Sequence, residues 1–253
     1  MKKIKALLNI NEITFSVVIL LLVTISIPTE LILRLTSPAI VSTKGVPCVY
    51  DAFIVISLYS VWLYILAFIL FYILYIEKYQ LNPVLILRKR TIKKVWKDVL
   101  SDLLVMDLLF SLYITIVTVA AGFLMTGIMC NWEKRESRAY RFSGNVIENP
   151  PNIALIIITF FVIVFTLIFV AGSIMLYLWW ITNWQWAGFV AAIVIISTEN
   201  ALKTGFLWIV YRLSDKVYIN GIDIGWQIIY PTVLCIGVYI LTMLTICRKD
   251  FLK

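Results

Sequence analysis

Side chains that could carry enzyme chemistry are scarce in this sequence. Histidine is absent, which removes the commonest general base and the commonest metal ligand. The sequence also lacks HExxH, GxSxG and GxxxxGK[ST] motifs, the signatures of metalloproteases, serine hydrolases and P-loop nucleotide sites. We therefore expect no catalytic residue, no metal site and no cofactor bound by this chain.

Three acidic residues, Glu30, Asp107 and Glu199, lie within or beside long apolar runs. A charge in such a position is costly and is usually paired or functional. Glu30 and Glu199 are expected near helix ends that water can reach. Asp107 is expected a little over one turn inside its helix, where Lys94 or Lys97 could pair with it if the preceding segment folds back. Asp107 and Glu199 are the candidate functional acids.

A basic segment, Glu77 to Ser101, separates two of the apolar runs. Asn82 and Pro83 end the helix before it, because proline lacks a backbone N–H and disfavours helical geometry in its predecessor. A new helix is predicted to begin near Thr91, with opposite apolar and cationic arcs. The apolar arc contains Ile92, Val95, Trp96, Val99, Leu100 and Leu103, and the cationic arc contains Arg90, Lys93, Lys94 and Lys97. Such a helix can lie in a membrane interface, dock a soluble partner, or do both.

The composition of the chain indicates which kind of structure holds these residues in place. The sequence is 62% hydrophobic and 14% charged, with a mean hydropathy of +0.97. This composition is far more apolar than that of a soluble globular domain. A bilayer core of about 30 Å needs about 20 apolar residues per helix. We therefore predict an all-α membrane protein, with a single transmembrane domain over residues 1–253 and six transmembrane helices. The predicted spans are residues 13–33, 52–76, 103–129, 153–178, 187–211 including a re-entrant outer part, and 226–246.

Charge distribution predicts the orientation of these spans. Most of the 22 lysines and arginines fall at the two ends of the chain and in the basic segment. The positive-inside rule then places both termini and the amphipathic helix in the cytoplasm. Membrane orientation, rather than nucleic acid binding, explains the net charge of +8. Tyr72, Tyr75 and Tyr79 are expected to form an aromatic belt at the inner interface.

The four cysteines form no CxxC pair, and without histidine they predict no zinc or haem site. Cys48 and Cys130 fall in predicted outer loops, where oxidation is possible. Two unpaired small residues are the simpler interpretation, and a bridge between them stays open. Cys235 and Cys247 lie in or at the end of the last predicted span and are interpreted as packing residues.

The stretch NPVLILRKRTIKKVWKDVLSDLLVMDLLFSLYITIV resembles the second-to-third span region of permease subunits of ATP-binding-cassette (ABC) exporters. The resemblance is to small bacterial permeases of the type-two exporter fold, including transporters of amphipathic toxin peptides such as the phenol-soluble modulin transporters. It extends over the whole chain by topology. Residues 200–225 look like the family's short outer re-entrant element.

The resemblance implies that this chain is not an enzyme. Two permeases, identical or paralogous, would pair in the bacterial cytoplasmic membrane above two ABC ATPase subunits, which bind ATP and Mg²⁺. The amphipathic segment, residues 77–101, would be a cytoplasmic coupling helix docking to an ATPase. An amphipathic peptide or another hydrophobic substrate would move outward among membrane lipids. The implied ATPase-coupling residues are Asn82, Pro83, Arg88, Arg90, Lys93, Lys94, Trp96 and Lys97.

Two other functions stay open. A proton-coupled secondary transporter would use Asp107 and Glu199 as relay groups. A non-transporting membrane partner, such as a sensor or an assembly factor, would stimulate no ATPase. Association with an ATPase distinguishes the exporter permease from both of them.

Overall fold

The computed structural model describes residues 18–79, 92–144, 147, 149–182, 184–202 and 221–245. Helices account for nearly all of this part of the chain, whose one β-type contact is an isolated bridge between Val46 and Ser137. We number the helices in chain order: α1 Val18–Thr36, α2 Pro38–Lys44, α3 Val49–Tyr59, α4 Val61–Tyr79, α5 Ile92–Thr126, α6 Arg138–Ser143, α7 Ile153–Thr182, α8 Gln185–Leu202 and α9 Gly221–Thr245.

Four of the described helices, α1, α5, α7 and α9, are long and apolar enough to cross a membrane, and α3 with α4 forms a fifth candidate if the bent pair is one span. The described part of the chain is almost entirely helical, which confirms the predicted all-α class. The long apolar helices indicate a membrane-embedded protein. In the region of the predicted fifth span, the described apolar helix covers Trp186–Ile195. Residues 203–220, which make up most of the re-entrant element predicted over residues 200–225, lie outside the described residues.

Helix α7 is the centre of the bundle. It is the most buried of the candidate spans and contacts α3, α4, α5, α8 and α9. Small residues let two of these neighbours approach closely. A Cβ on Gly188 of α8 would lie 2.5 Å from the Met175 carbonyl oxygen, and a Cβ on Gly172 would lie 2.8 Å from a methyl carbon of Leu103 in α5. The glycines therefore fix α7 between α5 and α8.

The second predicted span is not one straight helix. It breaks at Ser60, where α3 and α4 meet at 62°. Ser60 has φ −122° and ψ −16°, outside helical geometry, and its N–H still donates to the Ile56 carbonyl at 3.0 Å. Neither proline nor glycine marks the site. Because both sides of the break are equally apolar, hydropathy alone predicts a continuous span.

Helix α5 is longer than predicted. The amphipathic helix and the third span form one uninterrupted helix of 35 residues, which is about 50 Å long. No glycine or proline occurs between Ile92 and Ala121, so nothing in the sequence separates the two parts. The helix ends at Gly127, whose φ of 63° suits glycine, and not at the predicted Met129.

A polar cap, residues 44–51 and 127–144, covers the end of the bundle where α5 ends. The predicted outer loops here contain the short helices α2 and α6. Buried Asp51 accepts hydrogen bonds from the Cys48 N–H at 2.9 Å and the Trp132 indole at 3.2 Å. Arg138 donates to the Arg34 carbonyl at 3.0 Å. Asp51 thus joins the start of α3 to the chain that follows α5.

Candidate functional site

The first turns of α5 present a cationic face. Lys93, Lys94 and Lys97 are exposed, whereas Val95, Trp96, Val99 and Leu100 are buried in the bundle. This division matches the predicted arcs. The other predicted coupling residues, Asn82, Pro83, Arg88 and Arg90, lie outside the described residues.

The Trp96 indole packs inside the protein. Its ring contacts that of Trp180, near the end of α7, with centroids 5.2 Å apart in an edge-to-face arrangement. The side chain is 1% exposed, and its N–H has no hydrogen-bond partner within the described residues. The predicted docking contact of Trp96 stays a prediction. In this structure the residue instead holds the start of α5 against α7.

Tyr72 supplies a second attachment for the same turns of α5. Its hydroxyl donates to the Val99 carbonyl at 2.7 Å, and its ring stacks on Phe68 with centroids 5.8 Å apart. The prediction that Tyr72 belongs to an aromatic belt at the membrane surface is wrong, because the side chain is completely buried. The lysine face is therefore anchored to both α4 and α7. The sequence hinted at these contacts only through the spacing of the tyrosines and the Trp179–Trp180 pair. Neither feature indicates which residue of α5 Tyr72 or Trp180 contacts.

Asp107 lies on the buried side of α5 and is fully inaccessible. Its Oδ1 accepts a hydrogen bond from Ser111 at 3.0 Å, and its Oδ2 has no partner within the described residues. The expected pairing with Lys94 or Lys97 does not occur. The helix does not fold back, so those lysines are about 15–20 Å away along its axis.

Other buried polar side chains lie along the helix from this carboxylate and on two neighbouring helices. On α5, Ser111, Thr115 and Thr118 continue the same buried stripe. On neighbouring helices, Cys235 of α9 lies near Thr166 of α7 and within electrostatic range of Asp107. Buried polar groups normally have hydrogen-bond partners. A proton on the carboxyl group or a bound cation would satisfy the Oδ2 atom of Asp107, which has no such partner within the described residues. Glu199, the other candidate acid, lies in α8, and its side chain is outside the described part.

An apolar cavity of about 300 Å³ opens between α1, α4 and α5. Aromatic side chains form much of its wall, together with aliphatic residues of α1 and α5; the aromatic ones are Phe68, Phe71, Phe110 and Tyr113. Where α1 meets α5, the hydroxyls of Thr24 and Tyr113 are hydrogen-bonded. The cavity can accommodate a hydrophobic group but offers little polar recognition.

In the described part of the chain, no three Cys, Asp or Glu residues lie close enough together to hold a metal ion. Comparison with known proteins identifies no relative either: the sequence matches no family model, no curated protein and no solved structure.

Proposed function

We propose that this chain is the transmembrane permease subunit of an ABC exporter. Its six spans would cross the bacterial cytoplasmic membrane and leave both termini in the cytoplasm. Two copies, or one copy with a paralogue, would pair above two ATPase subunits. The ATPases bind and hydrolyse ATP with Mg²⁺, and the permease moves an amphipathic peptide or another hydrophobic substrate outward.

The observation that carries this proposal is the continuity of α5. Lys93, Lys94 and Lys97 are exposed on the first two turns of a helix that runs unbroken to Thr126. Contacts with Trp180 and Tyr72 fix those turns to α7 and α4. A force applied to the lysine face therefore reaches the bundle through packed side chains and not through a flexible loop.

The coupling mechanism needs a partner whose contact with this face differs between two states. ATP-driven dimerisation of the ATPases supplies such a difference, because ligand binding shifts a conformational equilibrium only through differential contacts. The cationic face would meet an acidic groove on the ATPase, and α5 would transmit its displacement to α7. Charge complementarity would set orientation and association rate.

The apolar cavity supports the proposed substrate class. Its aromatic lining fits the apolar face of an amphipathic peptide, with few polar groups to specify sequence. The described part of the cavity is formed by the first, second and third spans.

Complex formation tests this function. We would co-express the chain with candidate ABC ATPase subunits from the same genome, purify any complex and reconstitute it in liposomes. The proposal predicts stable co-purification and ATP turnover that amphipathic peptide increases. A folded permease that neither binds the ATPase nor alters its turnover would contradict it.

The unpartnered oxygen of Asp107 favours a second candidate, a proton- or cation-coupled secondary transporter. In that case the carboxylate would bind and release the coupling ion in the course of transport. The substitution Asp107→Asn separates the two functions, since it retains the shape and removes the charge.

For the exporter we expect Asp107→Asn to leave ATP-driven transport intact. It should also raise the free energy of unfolding by about 1 kcal/mol, because burying an amide costs less than burying a carboxylate with an unpartnered oxygen. Transport assays in proteoliposomes, with ATP or with an imposed proton gradient, measure the first effect. Ser111→Ala is the matched control, because it removes only the hydrogen bond. Abolished transport in Asp107→Asn, with the protein folded, would establish the second candidate instead.

A further inference from the structure

Two cysteines far apart in the sequence meet in the polar cap. Cys48 is the residue before α3 and is completely buried. Cys130 follows the end of α5 and is half-buried. Both thiols are free, and they lie close enough to interact with each other.

Backbone contacts on each side hold the two cysteines together. The Val49 N–H donates to the Ile128 carbonyl at 2.9 Å. The Asn131 side-chain amide donates to the Val46 carbonyl, also at 2.9 Å. These two bonds flank the cysteine pair and do not involve sulfur. The chain geometry therefore holds the two cysteines near each other without a bond between their sulfur atoms.

The surroundings distinguish the two thiols. The Cys48 sulfur also lies 3.4 Å from Asp51 Oδ2. The interaction with Cys130, burial and the nearby Asp51 carboxylate raise the pKa of the Cys48 thiol. The interaction with Cys48 lowers the pKa of the Cys130 thiol. Cys130 is thus the more accessible and more readily ionised sulfur, which are the properties of an attacking thiol.

We propose that Cys48 and Cys130 are a disulfide-forming pair, oxidised by thiol–disulfide exchange with a disulfide-bearing oxidant such as an extracytoplasmic oxidoreductase or glutathione disulfide. In the first step the Cys130 thiolate attacks one sulfur of the oxidant. The oxidant's S–S bond breaks, one of its sulfurs leaves as a thiolate, and a mixed disulfide with Cys130 remains.

In the second step the Cys48 thiol gives its proton to the Asp51 carboxylate, and its sulfur attacks the Cys130 sulfur. The mixed disulfide breaks, and the second oxidant sulfur leaves and takes up a proton. The two cysteines lose two electrons and two protons in total, and the oxidant becomes two thiols. The resulting bond closes a loop that contains α3, α4 and the whole of α5, and joins the residue before α3 to the segment after α5.

The oxidant reaches the pair in cells only if the cap faces outward, as the proposed topology requires. The chemistry itself can be tested in purified protein, so its failure is distinguishable from failure of the proposed function. Impermeant maleimide added to intact cells after an impermeant reductant has opened any disulfide reports the orientation separately, through labelling of Cys130.

Glutathione disulfide in detergent solution tests the pair. A Cys247→Ser background removes a thiol outside the described residues, and Cys235 serves as the internal reference. After treatment the protein should lose the mass of two hydrogen atoms, retain only the Cys235 thiol and yield a peptide bridged between residues 48 and 130. Reduction should restore both thiols.

The single variants test the order of the steps. Cys48→Ser should stop at the mixed disulfide and carry one glutathione on Cys130. Cys130→Ser should react far more slowly, because Cys48 is buried and holds its proton. Glutathione retained on Cys130 in the protein with both cysteines, or no reaction while the protein stays folded, would overturn the proposal. Equal reactivity of the two single variants would overturn the assigned order.

Discussion

Replacing Trp96 with alanine is expected to lower the free energy of unfolding by about 3–5 kcal/mol, the range for truncating a large buried aromatic side chain. The indole is buried between α5 and α7, and its edge-to-face contact with Trp180 would be lost. A cavity would remain at the point where the lysine face joins the bundle. Denaturant titration in detergent micelles measures the change.

Two variants separate this packing role from other effects. Trp96→Phe should retain most of the stability, because an aromatic ring is kept and the indole N–H makes no hydrogen bond within the described residues. Trp184→Ala should cost about 0.5 kcal/mol or less, since that side chain is 55% exposed. A Trp96→Ala protein as stable as the Trp184→Ala protein would contradict the packing of α5 on α7.

Reversing two charges, Lys93→Glu with Lys94→Glu, is expected to weaken ATPase association at least about tenfold. Both lysines are exposed, so the folded state loses no packing and should keep its stability. Attraction to an acidic groove becomes repulsion at two adjacent positions. Titration of the ATPase onto the immobilised permease measures the loss, which should diminish as added salt screens the charges.

The matched control reverses two exposed cations at the other end of the bundle. Lys134→Glu with Arg135→Glu changes the net charge by the same amount, and it should leave ATPase affinity unchanged. Equal weakening by both double variants would mean that the total charge of the protein, and not the α5 face, governs association.

Local sequence features predicted the start of α7 and the buried and exposed faces of α5. The start of α7 at Ile153 was predictable from Pro150 and Pro151, and the Asn152 side chain caps it by accepting from the Ala154 N–H at 3.1 Å. The two arcs of α5 followed from the spacing of lysines and apolar residues. In both cases the determining residues are within one or two turns of the feature they determine.

Tertiary contacts were not predictable in the same way. The pattern placed Trp96 on an apolar arc but could not say whether Trp180, a membrane surface or another protein covers it. Likewise, Cys48 and Cys130 meet only because the start of α3 lies beside the end of α5. The bend at Ser60 is a further example, since Ser60 is buried and no proline or glycine marks the break.

The surroundings of Asp107 differ from those predicted for the same reason. Its position inside a helix was evident from the apolar run, whereas its partners depend on how α5, α7 and α9 pack. The structure replaces an expected lysine with Ser111 and leaves Oδ2 without a hydrogen-bond partner in the described part. An intramembrane carboxylate in this state is the main reason to test ion-driven transport beside ATP-driven transport.

Site-specific photo-crosslinking tests the proposed coupling most directly. A benzophenone amino acid would replace Lys94 on the exposed start of α5 or, as a control, Leu124, which is 84% exposed near the other end of the same helix. In cells that also express the ATPase, illumination should join the ATPase to the chain from position 94 and not from position 124. Absence of an ATPase crosslink from position 94, or equal crosslinking from both positions, would contradict the assignment of this face as the docking surface.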